Sequence, residues 1–148
     1  MKTGVVILAA GQGTRMKSTL PKVLHPIAGK PMLAHVIETA QSLEPEIIVV
    51  VHGHGGEQVR DSMQAYDVAW ALQHQQLGTG HAVLQAAPLL RETADAVVVT
   101  YGDMPLLRVE TMVSLARVQR KTGAAVVMLS VIGEPTSSFG RVVRGGNG

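Results

Sequence analysis

Apolar residues are grouped along this chain in short runs that alternate with stretches of helical spacing. Most of the runs are rich in β-branched side chains, which predicts strands that are buried on both faces of a sheet. The runs cover residues 5–10, 46–51, 68–72, 96–101 and 124–132. The sequence therefore predicts five strands, and the unbroken apolar character of the first favours a parallel sheet.

Between these runs, apolar residues recur with the spacing of one face of a helix. The predicted helices cover residues 32–43, 57–64, 82–90 and 109–121. Strand and helix alternate throughout, which is typical of a doubly wound, mostly parallel α/β sheet of the Rossmann-like type. In such a sheet the helices cover both faces, and ligands bind among the loops at the carboxyl ends of the strands.

The C-terminal stretch has a different pattern. Residues 134–139 are mostly polar, and residues 140–144 alternate between apolar and polar like a half-exposed strand. Residues 146–148 are of the types that favour a tight hairpin turn. No partner strand follows this turn. We therefore expect the chain to be a fragment of a longer protein.

Composition narrows the classes of function. The 148 residues are 46% hydrophobic and 16% charged, which is ordinary for one globular domain with a core. Aromatic residues make up only 3%, which argues against a protein that stacks the bases of single-stranded nucleic acid. The net charge is +2 and the cations are scattered, which suits a small phosphorylated substrate better than a nucleic-acid partner.

Cysteine usage and targeting signals indicate the compartment. The chain has no cysteine, so disulfides and thiolate metal sites are excluded. Its N-terminal apolar run is too short for a signal peptide, and no apolar run is long enough to span a membrane. We expect a cytoplasmic protein with no membrane partner.

A glycine-rich loop follows the first predicted strand. Gly11 and Gly13 allow a sharp turn and the close approach of a ligand. The cations Arg15 and Lys22 come next, and no acidic residue precedes Glu38. A buried strand that ends in such a loop indicates a phosphate site at the carboxyl edge of the sheet.

Two common phosphate-binding motifs, the P-loop and the dinucleotide fingerprint, do not match this loop. A P-loop requires Gly-x-x-x-x-Gly-Lys-[Ser/Thr], whereas Gly11 and Gly13 are too close together. A dinucleotide fingerprint requires a third glycine where Met16 stands, and an acidic residue about twenty positions further on. The loop is therefore a phosphate site of another type, or a tight turn with two solvated cations.

Polar groups also follow the later predicted strands. Gln73 follows the third, and its amide can donate and accept, which suits the edge of a nucleobase. Gly78 and Thr79 precede a helix and offer backbone N–H groups and a hydroxyl. Asp103 follows the fourth strand and is a carboxylate at the ligand edge; alternatively, it caps the turn before Pro105.

The histidines offer a weaker metal interpretation. His52-x-His54 has the composition of a ligand pair, but no third ligand is nearby. His81 lies in a Gly-Thr-Gly-His turn, and we expect it to orient that loop rather than to act as an acid or base.

Four motifs carry a family resemblance. Leu-Ala-Ala-Gly-x-Gly-Thr-Arg-Met followed by Pro-Lys resembles the signature of the sugar-phosphate nucleotidyltransferases. Gln-x-x-Gln-Leu-Gly-Thr-Gly-His-Ala, Tyr-Gly-Asp-x-Pro-Leu and Gly-Arg-Val-Val-Arg resemble its uridylyltransferase (pyrophosphorylase) branch. That branch forms one half of bifunctional bacterial enzymes that make UDP-N-acetylglucosamine. The resemblance extends from residue 5 to residue 144.

The resemblance implies a reaction and its participants. UMP passes from UTP to N-acetylglucosamine 1-phosphate, giving UDP-N-acetylglucosamine and pyrophosphate, with Mg²⁺ as cofactor. The product serves peptidoglycan and lipopolysaccharide synthesis. The resemblance also implies one nucleotidyltransferase domain, with a nucleotide-binding part at 1–133 and the start of a sugar-binding part at 134–148. A second metal ligand, an asparagine, and an acetyltransferase half that forms a homotrimer would lie beyond residue 148.

The resemblance also implies the site residues, position by position. Along the nucleotide lie Leu8, Ala9, Ala10 and Gly11. On its phosphates lie the catalytic cations Arg15 and Lys22, and on uracil lie Gln73, Gly78 and Thr79. On the ribose side lie Tyr101 and Gly102, while Asp103 holds Mg²⁺ and Gly140 lies beside the sugar.

The implied mechanism is an in-line attack that needs positioning and charge stabilisation but no covalent intermediate. We expect UTP to be preferred over CTP, GTP and ATP, and the 148 residues to fold but to catalyse poorly alone. Two alternatives stay open. One is a sister nucleotidyltransferase with another nucleotide or sugar phosphate, and the other is a nucleotide-binding module without catalysis.

Overall fold

The computed structural model describes residues 1–11, 13, 16–53, 55–133 and 140–146. The strands are β1 (Thr3–Ala9), β2 (Pro26–Ile27), β3 (Lys30–Pro31), β4 (Ile47–His52), β5 (Ala69–Leu72) and β6 (Ala96–Tyr101). The α-helices are α1 (Met32–Gln41), α2 (Glu57–Ser62), α3 (Thr79–Leu90) and α4 (Val109–Thr122), and a 3-10 turn covers Lys22–Leu24. Among the described residues, no helix is both long and apolar enough to cross a bilayer.

Four parallel strands form the central sheet, in the order β5-β4-β1-β6. In chain order the strands first extend the sheet on one side of β1, and β6 then pairs with the other side of β1. The direction of winding therefore reverses between β1 and β6, and such a switch point opens a crevice at the carboxyl ends of the strands. The predicted α/β fold with a parallel sheet is confirmed, and its first four strands lie within two residues of their predicted bounds.

Helices pack on both faces of the sheet, which explains why its central strands are apolar without interruption. On one face, Ile7 and Val50 pack with Leu33 and Ile37 of α1, together with Met63. On the opposite face, strand residues pack against α3 in a second cluster, formed by Val6, Leu8, Val49, Val51, Ala71, Ala82, Ala86 and Leu90. Because side chains of a strand point alternately to the two faces, both faces of β1 are buried.

A small hairpin, β2–β3, was not among the predicted strands. It is fixed to α1 by Lys30, whose Nζ donates to both carboxylate oxygens of Glu38 at 2.8 and 2.7 Å. The hydroxyl of Tyr66 donates to the same carboxylate at 2.9 Å. The hydrogen bonds from Lys30 and Tyr66 lower the pKa of Glu38, while burial and the bond to Glu38 raise the pKa of Tyr66.

The chain divides into two compact units, Met1–Val113 and Ser114–Gly148. The first unit contains the sheet. The predicted division after residue 133 concerns ligand binding and stays a prediction.

Two predicted strands in the second unit are wrong. Residues 124–132 and 140–144 are described without strand structure. Val126 and Val131 in the first of these segments are 81% and 78% exposed. An apolar run becomes a strand only when a neighbour satisfies its backbone N–H and C=O groups, and local pattern carries no information about that neighbour. Residues 134–139 and 147–148, including the predicted hairpin tip, lie outside the described residues.

Candidate functional site

A cavity of about 320 Å³ opens at the carboxyl ends of β1, β5 and β6. This is the edge of the sheet at which the winding reverses, where ligands bind in doubly wound folds. The lining residues are Leu8, Ala9, Ala10, Gly11, Lys22, Val23, Gln73, Gln76, Gly78, Thr79, Ala82, Tyr101 and Asp103. Three loops that are far apart in the sequence thus meet at one place.

The end of β1 forms an apolar wall of this cavity. Leu8 is paired with β4 on one side and β6 on the other, Ala9 is paired with β4, and Ala10 and Gly11 continue the chain beyond the last ladder residue. Gln76 reaches across to this wall, and its Nε2 donates to the carbonyl of Ala10 at 2.5 Å. The loop after β5 is thereby tied to the end of β1.

An ion pair crosses the cavity. Lys22 Nζ lies 2.5 Å from Asp103 Oδ2, although 81 positions separate the two residues in the sequence. The 3-10 turn holds Lys22 at this rim because the next two residues, Val23 and Leu24, are buried in the core. The two charged side chains stay 40% and 32% exposed, so both can still meet a ligand.

Gly102 lies behind the cavity rather than on its lining. Its N–H donates to the carbonyl of Leu8 at 2.9 Å, which extends the pairing of β6 with β1. A Cβ at this position would come within 3.2 to 3.3 Å of Val23, Ala9 and Leu33. Glycine therefore lets the end of β6 pack closely here, and the predicted ribose contact of Gly102 stays a prediction.

Gln73 forms the opposite wall, and its side chain is held by the turn that starts α3. The residue is 3% exposed, and its backbone N–H donates to the carbonyl of His52 at 2.8 Å. Its side-chain Nε2 contacts the carbonyl oxygen of Gly78 at 3.1 Å and Nδ1 of His81 at 3.0 Å. Gly78 has a φ of 103°, a conformation that favours glycine.

Not every predicted site residue can be located at this cavity. Arg15 lies outside the described residues, and Gly140 belongs to the second compact unit. Their roles stay predictions.

Three lining residues were not predicted as site residues: Val23, Gln76 and Ala82. Each stands next to, or inside, a motif that was recognised. Gln76 was recognisable from the sequence, because it is the last of the three glutamines in the loop that follows β5.

The residues present fit a divalent cation only in part. No group of three or more His, Cys, Asp or Glu side chains that could hold a metal occurs among the described residues. Asp103 supplies one carboxylate at the cavity. Mg²⁺ is often held by one or two carboxylates plus substrate phosphates and waters, so a single carboxylate is compatible with it.

His52, the first residue of the histidine pair, is not part of the cavity lining. His52 is buried, with its ring edge-on to Trp70 at a centroid distance of 5.8 Å. Burial lowers the pKa of His52, which favours its neutral form. His54 lies outside the described residues.

A second cavity, of about 400 Å³, lies beside Trp70. Its lining includes the carboxylates of Glu57 and Asp61 together with Arg60. Two carboxylates repel a polyphosphate, and the cavity lacks the strand-end loops of the first one. The smaller cavity is therefore the better candidate for a nucleotide.

Sequence comparisons identify the relatives of the chain. A family model described as the MobA-like NTP transferase domain matches residues 5–142. Proteins named bifunctional protein GlmU from Alcanivorax borkumensis and Ralstonia nicotianae are 53% and 56% identical over 146 residues. These alignments cover 99% and 97% of this chain but 31% of each relative, so the chain spans about a third of their length.

Solved structures share the fold. A nucleotidyl transferase from Methanothermobacter thermautotroptrophicus aligns with a TM-score of 0.71 at 21% identity, covering 78% of this chain and 57% of that one. Rv0371C of Mycobacterium tuberculosis H37Rv, complexed with manganese, gives 0.68 at 20% identity, with 82% and 61% covered. CMP:2-keto-3-deoxy-manno-octonic acid synthetase complexed with CTP gives 0.68 at 26% identity, with 84% and 49% covered.

Proposed function

The chain belongs to the family of MobA-like NTP transferase domains, and we propose that it is the nucleotide-binding part of a UDP-N-acetylglucosamine pyrophosphorylase. The proposed reaction transfers UMP from UTP to N-acetylglucosamine 1-phosphate and releases pyrophosphate. Identity of 53% to a GlmU protein supports this assignment.

One observation carries the proposal. The cavity joins an ion pair of Lys22 and Asp103 on one side with a buried, hydrogen-bonded carboxamide, Gln73, on the other. A nucleoside triphosphate needs this combination, because its phosphates attract a cation and its base presents a hydrogen-bonding edge. A binding protein for a base alone would not need the charged pair.

The proposed reaction requires the protein to position the two substrates and to stabilise negative charge on the phosphates. An oxygen of the sugar phosphate forms a bond to the α-phosphorus of UTP, and the bond to the bridging oxygen breaks, so that pyrophosphate leaves with the electron pair. Lys22 can stabilise negative charge that develops on the phosphates. The apolar wall of Leu8 and Ala9 excludes water from one side of the nucleotide.

We propose that the cation is Mg²⁺ and that Asp103 holds it through a carboxylate oxygen. A divalent cation would neutralise phosphate charge in this site. The manganese complex of a protein of the same fold agrees with such a requirement.

The proposal extends to the cellular role of the enzyme. We propose a cytoplasmic enzyme whose product serves peptidoglycan and lipopolysaccharide synthesis. Assembly into a homotrimer through a further C-terminal domain stays a prediction.

The test compares the 148-residue chain with an extended chain, in which residues 1–148 are continued by the C-terminal sequence of the Alcanivorax relative. We expect the extended chain to release pyrophosphate from UTP and N-acetylglucosamine 1-phosphate only with Mg²⁺. We expect the 148-residue chain to bind UTP but to turn over slowly. Isothermal titration calorimetry and a coupled pyrophosphate assay measure the two quantities.

A matched pair of variants tests whether the carboxylate of Asp103 is required for the reaction. Asp103→Asn keeps the shape of the side chain but removes its charge, and it should abolish pyrophosphate release by the extended chain. Asp67→Asn changes an exposed carboxylate away from the cavity and should leave the rate unchanged. If the extended chain binds UTP without releasing pyrophosphate, it is a nucleotide-binding module; release with CTP alone would make it a sister enzyme.

A further inference from the structure

The carboxamide of Gln73 has both of its N–H groups committed within the protein. One points to the carbonyl oxygen of Gly78, and the other to Nδ1 of His81. An amide nitrogen has two hydrogens, so neither is left for a ligand. The oxygen of the amide is the group that Gln73 can offer to a bound base, and it can only accept a hydrogen bond.

The orientation of the amide is determined by its neighbours. If the amide were turned over, its oxygen would face the carbonyl oxygen of Gly78, and two acceptors would be in contact. Because Gln73 is buried, water cannot compensate such a contact. Gly78 and His81 together therefore hold the nitrogen inward.

His81 can accept this hydrogen bond from Gln73 only in one neutral tautomer. Its Nδ1 must accept from Gln73, so the ring proton belongs on Nε2. The amide nitrogen of Gln85 lies 3.3 Å from Nε2 of the same ring, which is a competing contact. That amide also donates to the backbone carbonyl of His81 at 3.1 Å, so Gln85 has a partner without the ring.

We propose that His81 is a positioning residue that selects uracil over cytosine by holding the oxygen of the Gln73 amide toward the base. This inference rests on the proposed function and deepens it, since it assigns the choice of nucleotide to a residue outside the cavity lining.

The hydrogen-bonding pattern of the site matches that of uracil. Uracil presents the donor N3–H between two carbonyl acceptors, whereas cytosine has an acceptor at N3. The Gln73 oxygen can accept from N3–H. The first-turn N–H groups of α3, at Thr79 and Gly80, have no acceptor within the helix and can donate to a flanking carbonyl. Cytosine would bring its N3 acceptor against the amide oxygen.

The test is the ratio of the dissociation constants for CTP and UTP, measured by calorimetry on the 148-residue chain with Mg²⁺. His81→Leu removes the acceptor, so only the carbonyl oxygen of Gly78 still opposes rotation of the Gln73 amide, and a rotated amide can donate an N–H to cytosine. We expect the ratio to fall by about tenfold, the equivalent of one hydrogen bond. His81→Asn places an oxygen near the position of Nδ1 and should keep the preference, as should His74→Leu, which alters an exposed histidine of the same loop.

A second measurement does not depend on nucleotide. In ¹⁵N-labelled ligand-free protein, long-range ¹H–¹⁵N spectra should show the neutral His81 ring with its proton on Nε2. A proton on Nδ1, or an unchanged CTP-to-UTP ratio in His81→Leu, would overturn the role of His81 while leaving the proposed function in place. If the wild-type chain has no preference for UTP, the uracil assignment fails first, and the inference fails with it.

Discussion

At the scale of single residues, the cavity holds charges that contribute little to stability. Lys22 and Asp103 form a short ion pair, yet both side chains are more than 30% exposed. Exposed pairs contribute about 0.2–1 kcal/mol to folding. A cation and a carboxylate at the carboxyl edge of a sheet are therefore better explained by what they do to a ligand than by what they do for the fold.

Replacement of Lys22 separates these two roles. Lys22→Ala in the extended chain should lower kcat for pyrophosphate release by a factor that corresponds to about 2.7–4 kcal/mol, the cost of losing one group that stabilises transition-state charge. The melting temperature should change little. Steady-state kinetics and thermal denaturation measure the two effects.

Lys30→Ala is the matched control, because Lys30 forms a similarly exposed ion pair with Glu38 away from the cavity. It should leave kcat unchanged. A Lys22→Ala protein that melts early but keeps its turnover would assign Lys22 to the fold instead.

At the scale of elements, a polar network joins the β2–β3 hairpin to α1. Glu38 on α1 accepts hydrogen bonds from Lys30 of β3 and from Tyr66, and these bonds hold its pKa below the ordinary value. The hairpin follows directly after the 3-10 turn that carries Lys22. The network therefore anchors the β2–β3 hairpin to α1.

Acid should weaken this network. A carboxylate with a lowered pKa in the folded state stabilises the fold at pH values above its unfolded pKa, about 4.3. This contribution is lost as the pH falls through the lower, folded-state pKa. The melting temperature of the wild-type chain should therefore fall more steeply between about pH 5 and pH 3 than that of Glu38→Gln.

Glu46→Gln provides the comparison, because Glu46 is exposed and belongs to no part of this network. Its melting temperature should follow the wild-type curve. If the Glu38→Gln curve also parallels that of the wild type, the network does not contribute to acid sensitivity.

The elements differ in how well the sequence predicts them. β6 has its predicted bounds of 96–101, and β1 is recognisable because both of its faces are buried by helices. Residues 124–132 have a similar apolar pattern but are described without strand structure, since pairing depends on a neighbour that local pattern cannot reveal. The hairpin was missed because each of its strands is only two residues long.

The sequence predicts which residues of the candidate site lie at the edge of the sheet, but not the contacts between them. Parallel strands end at the same edge of their sheet, so the positions of Gln73 and Asp103 near that edge follow from the order of the elements. Lys22 is held there instead by the burial of Val23 and Leu24 in the 3-10 turn. The ion pair and the contact from Gln73 to His81 depend on which strands are neighbours and on how the loops pack. Both contacts are set by the tertiary structure, so the local sequence pattern could not predict them.

At the scale of the whole molecule, the strand order determines where a ligand can bind. β6 lies on the opposite side of β1 from β4 and β5, and the cavity opens where the winding reverses. The glycine-rich loop, the Gln73 wall and the Asp103 carboxylate come from separate crossovers. The central claim is that UTP occupies this crevice.

Titration of the ¹⁵N-labelled chain with UTP and Mg²⁺ tests that claim most directly. Amide chemical shifts should change saturably at residues 8–11, 73, 78–80 and 101–103, with little change around Trp70 in the second cavity. CTP should produce the same pattern only at higher concentration. Saturable changes centred on Glu57, Arg60 and Trp70, with the strand-end residues unaffected, would contradict the account.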